Sequence, residues 1–265
     1  MTSRSIAGLA VLAAIPFACL TTVAICPTAT CGAAFAHGGF RWPAALEQPM
    51  LLGSLVVLAW ALRLGATTAR MSRQLAGLPR LPVPLKLARI ASAAGVDRIR
   101  CIAAGAPIAF CAGLLRPTIY VSDGAITVLS EPELTAVLHH EADHARRWEP
   151  ARRASRDAVA DVLAFLPIIR WWSDRRIERA ELDADAAAER AAGKSALAGA
   201  LLLMTTPTHA LAAFTGQTEL LASRLLGVEV EPSQPPRAVW AVSIAGAWLA
   251  LSLAGCLFEV AVALS

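Results

Sequence analysis

The chain has 265 residues, of which 56% are hydrophobic and only 17% are charged, and its mean hydropathy is +0.55. Soluble domains usually carry about 25% charged residues, so this composition excludes an ordinary soluble globule and indicates that part of the chain lies in lipid. The formal net charge is +4. No aromatic residues are interleaved with the arginines, which argues against direct binding to nucleic acid.

Three apolar segments approach the roughly 20 residues that a helix needs to cross a bilayer. Ile6–Ile25 is an uncharged run of 20 residues, Gln48–Leu62 one of 15, and Ala238–Phe258 one of 21. The second reaches spanning length when its flanking charges lie at the interfaces. We therefore expect about three transmembrane helices. The first segment could instead be a cleaved signal peptide, since Ala34-Phe35-Ala36 follows it.

Basic residues set the expected orientation in the membrane. Between Arg63 and Arg100 the chain carries eight Lys or Arg against one acid, Asp97, whereas the loop 26–46 carries only Arg41. The positive-inside rule places the basic stretch in the cytoplasm. Loop 26–46 then lies outside, where a disulfide between its two cysteines, Cys26 and Cys31, is chemically permitted.

The remaining sequence is predicted to be mainly helical, with a small β-sheet. Residues 99–121 contain β-branched runs separated by glycine and are typical of short strands. A helix is expected from Glu131, with Ser130 as its cap. Another is expected over Arg175–Ala192, and a short buried or interfacial helix over Val162–Ile169.

The predicted domains follow from these elements. Residues 1–66 form two transmembrane helices, and residues 237–265 form a third. Residues 67–236 lie between them as a separate domain that begins at the prolines of Leu78–Lys86. Within this domain, a short segment near 158–172 is expected to associate with the membrane.

A histidine-rich motif lies on the helix that begins at Glu131. His140-Glu141-Ala142-Asp143-His144 has the spacing HExxH. Residues four apart lie on one face of a helix, so both imidazoles can bind one Zn²⁺ at about 2.0–2.1 Å. Glu141 can then take a proton from a zinc-bound water as general base. The alternative is an accidental pair on a solvated helix face.

A catalytic zinc normally has three protein ligands and one water. Glu181 and Asp185 lie one helical turn apart further along the chain. Like charges at this spacing repel, so a shared cation explains the pair better than solvent exposure. Glu181 is the predicted third ligand, and Asp185 is predicted to accept a hydrogen bond from the free ring nitrogen of a ligand histidine. Glu178 is the competing ligand, but it has no acid four residues on.

The segments EPELTAVLHHEADHARR and RAELDAD resemble the BlaR/MecR-type membrane zinc metallopeptidases, the antirepressor peptidases of β-lactam sensors. They are more distantly similar to the prenyl-protease and heat-shock membrane peptidases. AFCAGLLRPTIYVSDG, FLPIIRWW and LASRLLG extend the resemblance over residues 78–230. It implies a zincin core with His140, His144 and Glu181 as zinc ligands, Glu141 as catalyst and Asp185 in support.

The same resemblance implies a multi-pass protein of the bacterial cell membrane whose active site faces the cytoplasm. The strand around Ile119, Tyr120 and Val121 would lie along the cleft and pair with an extended substrate by β-addition. The implied partners are the lipid bilayer and a protein or peptide substrate, such as a transcriptional repressor. No extracellular penicillin-binding sensor domain is expected. His139 departs from the family pattern and points about 100° away from His140.

Two alternatives remain open at this point. The protein could be a membrane quality-control protease like the heat-shock relatives. It could also be a non-catalytic membrane signalling protein that holds a structural zinc. A structural zinc site is normally closed by four protein ligands, whereas only three are evident here, and Glu141 is not one of them.

Overall fold

The computed structural model describes residues 42–204 and 234–264, so the predicted membrane segment Ile6–Ile25 and the two cysteines Cys26 and Cys31 lie outside the described residues. The described chain is mainly helical with a small sheet, as predicted. Its elements are α1 (Trp42–Ala76), β1 (Arg80–Leu81), α2 (Leu85–Ala93), β2 (Ile99–Ile102), β3 (Ala109–Ala112), β4 (Thr118–Ser122), α3 (Asp123–Val128), α4 (Glu131–Arg146), α5 (Glu149–Val162), α6 (Pro167–Ala192), α7 (Lys194–Met204) and α8 (Arg237–Leu264).

Two of the described helices are long and apolar enough to cross a bilayer. The spanning stretches are Leu52–Ala76 in α1 and Arg237–Gly255 in α8. In their most apolar windows, 0% and 6% of the residues are buried by the rest of the described chain. The core helix of a soluble protein would be largely covered, so these outward-facing apolar side chains are consistent with lipid as their solvent.

The four strands form one mixed sheet in the order β1-β2-β4-β3. β2 and β4 run parallel, while β1 and β3 pair antiparallel at the two edges. One face of the sheet packs against α4 through a core that includes Leu87, Ile119, Val121, Leu134 and Leu138. The sheet therefore lies directly against the helix that carries the HExxH motif.

The expected role of Ile119, Tyr120 and Val121 in binding substrate is wrong in its mechanism. These residues lie in β4, and each is paired on both sides, Ile119 for example with Ile99 in β2 and Cys111 in β3. All three are buried. An added strand needs a free edge, and β4 offers none.

Helix α4 begins where the sequence predicts. Ser130 is its N-cap and forms a capping box with Glu133: the backbone N–H and the hydroxyl of Ser130 donate to the Glu133 carboxylate at 2.8 and 2.7 Å. Gly199 of α7 lies against this carboxylate, where a Cβ atom would overlap with it. The start of the motif helix is thus fixed by its cap and by the close approach of α7.

The predicted short helix over Val162–Ile169 is wrong. α5 ends at Val162, residues 163–166 form a turn, and α6 begins at Pro167. This turn docks on α8. The Ser243 hydroxyl accepts a hydrogen bond from the Ile168 backbone at 3.0 Å, and the Phe165 carbonyl lies where a Cβ atom on Gly246 would stand. A small residue on α8 therefore permits the close contact.

Gly246→Ala should destabilise this contact, because the new methyl group overlaps with the Phe165 carbonyl. We expect a loss of about 1–3 kcal/mol in the free energy of unfolding, the usual range for overpacking. Thermal unfolding of the full chain in detergent measures it. Gly255→Ala on the same helix is the matched control, since nothing lies within 4 Å of its position. Equal melting temperatures for the two variants would contradict the docking.

Candidate metal centre and active site

Three side chains from two helices converge on one point. His140 and His144 of α4 and Glu181 of α6 form a group that could hold a metal ion. The two Nε2 atoms lie 3.1 Å apart, Glu181 Oε2 lies 3.6 Å from His140 Nε2, and Glu181 Oε1 lies 3.7 Å from His144 Nε2. Tetrahedral ligands bound at 2.0–2.1 Å are about 3.3 Å apart. The donor atoms and their spacing therefore fit zinc.

Asp185 fixes the orientation of the His140 ring. Its Nδ1 atom lies 2.9 Å from Asp185 Oδ1, so the ring donates there and its Nε2 lone pair faces the metal position. Asp185 is buried on α6, one turn after Glu181. This is the arrangement that the four-residue spacing of the two acids predicts.

The cluster has an excess of negative charge that only a cation can balance. Burial by itself would lower the pKa of His140, but hydrogen bonds to Asp185 and Glu181 and the charges of Glu141 and Glu181 raise this pKa to about 10. Burial raises the pKa of Glu141 to about 7, against the charge of His140. For His144, burial and the neighbouring His140 lower the pKa. The site therefore retains one positive charge, which bound zinc would replace.

Glu141 lies beside the metal group without joining it. Its side chain is buried, and the backbone N–H of Cys111 donates a hydrogen bond to its carboxylate. Burial thus favours the protonated form of this carboxyl more than is usual for a glutamate. This placement suits a general base, as the sequence predicts, and it couples the base to strand β3.

A cavity of about 210 Å³ opens over the cluster. Its lining combines the edge strand β3, the motif helix and the start of α5, and consists of Phe110, Cys111, His140, Glu141, His144, Glu149, Pro150, Arg153 and Glu181. The sequence reasoning missed Phe110, Cys111, Glu149 and Arg153. The fragment AFCAGLL contained a signal for the first two, because it belongs to the segments that carry the family resemblance.

Two other candidate residues are not part of the group that could hold a metal ion. Glu178, the competing ligand, bonds Arg175 at 2.8 Å and is not in the metal group. His139 is half-buried, and burial together with Arg146 lowers its pKa. It is likewise not part of the metal group, as its direction on the helix predicts.

Arg147 links the two helices that supply the ligands. Its Nε atom contacts the buried Asp143 at 2.7 Å, and its Nη1 atom donates to Asp183 at 2.6 Å. Asp143 lies inside the HExxH motif, and Asp183 lies two residues after Glu181. The guanidinium thus joins α4 to α6 beside the metal position. Spacing alone did not reveal this link, since it depends on how the helices pack.

An HExxH helix and a glutamate on a second helix, arranged around a zinc-sized position, define a zinc metallopeptidase site. The model of peptidase family M48 matches residues 83–214. These residues are therefore a peptidase family M48 domain, and the protein is a zinc metallopeptidase, a hydrolase that acts on peptide bonds. No protein of curated function shows significant similarity to the chain.

Zinc binding should release a proton. Without metal, His140 has a pKa of about 10 and is protonated at neutral pH, whereas zinc binds the neutral ring. At pH 8 we expect about one proton released per zinc, and zinc affinity that increases with pH up to about 10. Calorimetry in two buffers of different ionisation enthalpy measures the release. Asp185→Asn should reduce it, since this variant removes a partner that raises the pKa. Buffer-independent heats would contradict the expectation.

Arg147→Gln should weaken zinc binding by releasing α6 from α4. Arg147 and Asp183 are both partly exposed, so solvent weakens their ion pair. We expect the free energy of zinc binding to fall by about 0.5–1.4 kcal/mol, which is roughly two- to tenfold in affinity. Competition with a chelator measures it. Arg146→Gln is the control, because among the described residues Arg146 pairs only with Asp143 of its own helix, at 3.6 Å. Equal zinc affinities for the two variants would refute the link.

Proposed function

We propose that the protein is an integral membrane zinc endopeptidase that cleaves a cytoplasmic regulatory protein of the repressor type. One observation carries the proposal: Glu141 is buried beside the group formed by His140, His144 and Glu181. This group lies next to β3, which is an edge strand of the sheet. The domain organisation that we propose is two membrane helices in residues 1–66, the peptidase domain in 67–236 and a last membrane helix in 237–265.

The chemistry divides between the metal and the protein. Bound zinc supplies a Lewis acid and lowers the pKa of a water molecule. His140, His144 and Glu181 would hold it. Glu141 would accept the proton of the attacking water and deliver it to the leaving amine, because its carboxylate lines the cavity over the metal group. Asp185 keeps the ring of His140 in the orientation that this requires.

Strand β3 supports an extended mode of substrate binding. It pairs with β4 on one side only among the described residues, so its other edge is not paired with a strand there. Phe110 and Cys111 of this strand line the cavity over the metal group. A peptide added to this edge by β-addition would place a carbonyl near the metal. Substrate pairing therefore belongs at Ala109–Ala112 instead of at Ile119–Val121.

Charge supports a cytoplasmic active site. Eight basic residues lie between Arg63 and Arg100, from the second half of the first described membrane-length stretch onward. The peptidase domain follows directly. The resemblance to the BlaR/MecR-type antirepressor peptidases supports a regulatory protein as substrate. The competing role, quality control of membrane proteins, would use the same chemistry on many substrates.

Glu141→Gln should abolish cleavage and leave zinc bound, because the amide cannot accept the proton and Glu141 is not a ligand. We expect a loss of about 10²–10⁴ in kcat, the usual contribution of a general base. Cleaved cytoplasmic N-termini, compared between cells with the wild type and with the variant, identify the substrate. Metal analysis of the purified proteins verifies retention of zinc.

Glu178→Gln is the matched control, since Glu178 lies on α6 outside the metal group. It should cleave like the wild type. One regulator among the cleaved proteins supports the proposed substrate class, whereas a broad set of membrane proteins supports quality control. Undiminished cleavage by Glu141→Gln would overturn the mechanism.

A further inference from the structure

A second cavity lies on the peptidase domain, apart from the first. It has a volume of about 410 Å³, roughly twice that of the cavity over the metal group, and the two share no lining residue. Its walls come from the loop before β2, the loop before β4 and the first residues of β4, and the last turns of α4. No step of the proposed peptide cleavage uses it.

The rim of this cavity is basic. Arg98, Arg116 and Arg146 line it against a single acid, Asp97. All three arginines are exposed. Arg146 reaches Asp143 only at 3.6 Å, and neither Arg98 nor Arg116 forms an ion pair within the part of the chain that the structure describes. Three guanidinium groups around one opening favour an anionic partner with planar oxygen acceptors, such as carboxylates.

The cavity also has an apolar character. Ile119 and Ala142 form a buried floor, with 1% and 2% of their surfaces exposed. Leu115 and Trp148 stand at the rim with 84% and 48% of their surfaces exposed. Exposed apolar side chains next to arginine are typical of protein-binding surfaces. The partner that fits should carry apolar side chains between its acids.

The backbone at Trp148 gives an independent indication of a binding role. Its φ is +56°, and it is the single non-glycine residue with a positive φ among those described. It directly follows the C-cap Arg147 of α4, where glycine is the usual residue. A bulky residue in this conformation costs on the order of 1–3 kcal/mol, and such strain is concentrated at ligand-binding sites. Here it holds an indole ring at the rim.

We propose that this cavity is an exosite that binds an acidic segment, interspersed with apolar residues, in the protein substrate. The inference rests on the proposed peptidase function and names a substrate feature outside the scissile bond. A lipid headgroup fits less well, because none of the lining residues comes from the membrane-length stretches. Ala142 and Ala145 of the lining are the neighbours of Glu141 and His144 on α4, so both cavities border one helix.

Direct binding tests the exosite without requiring cleavage. The probe is a fluorescein-labelled peptide of about twelve residues that alternates two glutamates with one leucine, added to zinc-loaded Glu141→Gln protein in detergent. Fluorescence anisotropy should show saturable binding. Arg98→Glu with Arg116→Glu should weaken it by at least about tenfold, since two rim charges are reversed. Arg89→Glu with Arg152→Glu is the matched control, because both arginines are exposed and line neither cavity.

Each outcome of this assay decides the proposal. Retained affinity in the control pair and loss in the Arg98 and Arg116 pair supports it, as does loss on replacing the glutamates with glutamine. Equal affinities for the two double variants would overturn it, and so would an acidic peptide that fails to bind. Phosphatidylglycerol vesicles that displace the peptide, when phosphatidylcholine vesicles do not, would reassign the cavity to lipid.

A kinetic arm connects the exosite to catalysis. A short neutral peptide that the wild type cleaves should be cleaved equally by the Arg98 and Arg116 double variant. Adding the acidic segment should lower KM about tenfold for the wild type only, with kcat unchanged, because the segment does not touch the reacting atoms. A kcat effect would overturn the exosite. If no peptide is cleaved at all, the peptidase proposal fails, while the binding assay still decides whether the cavity takes an acidic segment.

Discussion

Negative charge gathered at a partly buried point is the constraint on which this structure depends. Glu141, Glu181 and Asp185 approach one another around His140, and carboxylates that share such a volume repel unless a cation lies among them. The protein alone meets this requirement with a proton on His140, whose pKa is raised to about 10. A divalent ion meets it better, because it binds both imidazoles and Glu181 at once. Metal binding therefore holds α4 and α6 together, because it removes the repulsion between the carboxylates of the two helices.

The order of the strands turns this metal group into a site for a polypeptide. Because β4 is held between β2 and β3, it can serve only as scaffold, and the accessible edge belongs to β3. The same strand donates a backbone hydrogen bond from Cys111 to Glu141. A peptide lying along β3 would thus be registered against a strand that also positions the general base. With the substrate bound as proposed, its alignment and the proton transfer would depend on one element, so a displacement of β3 would disturb both.

Local periodicity explains which parts of the site were predictable. Residues four apart lie on a common face of any helix, so the HExxH motif predicts His140 and His144 as ligands with Glu141 beside them. The acid four residues after Glu181 favoured Glu181 over Glu178 as the third ligand. The order of the strands depends on pairing between residues distant in sequence, and so β4 was mistaken for an edge. Val162–Ile169 has apolar composition, but a turn at residues 163–166 separates the end of α5 from the start of α6 at Pro167. Helix α2 was missed after the prolines, although Leu87, Ile90 and Ala91 have helical spacing and are buried.

Two adjacent faces of helix α4 border the two cavities. Glu141 and His144 border the cavity over the metal group, while the next residue after each, Ala142 and Ala145, borders the basic cavity. Small side chains at those two positions leave room for an occupant close to the helix backbone. A peptide held there would contribute binding energy far from the scissile bond, which increases the effective concentration of the correct substrate without altering the chemical step. Binding at such an exosite would let the peptidase favour one protein among many.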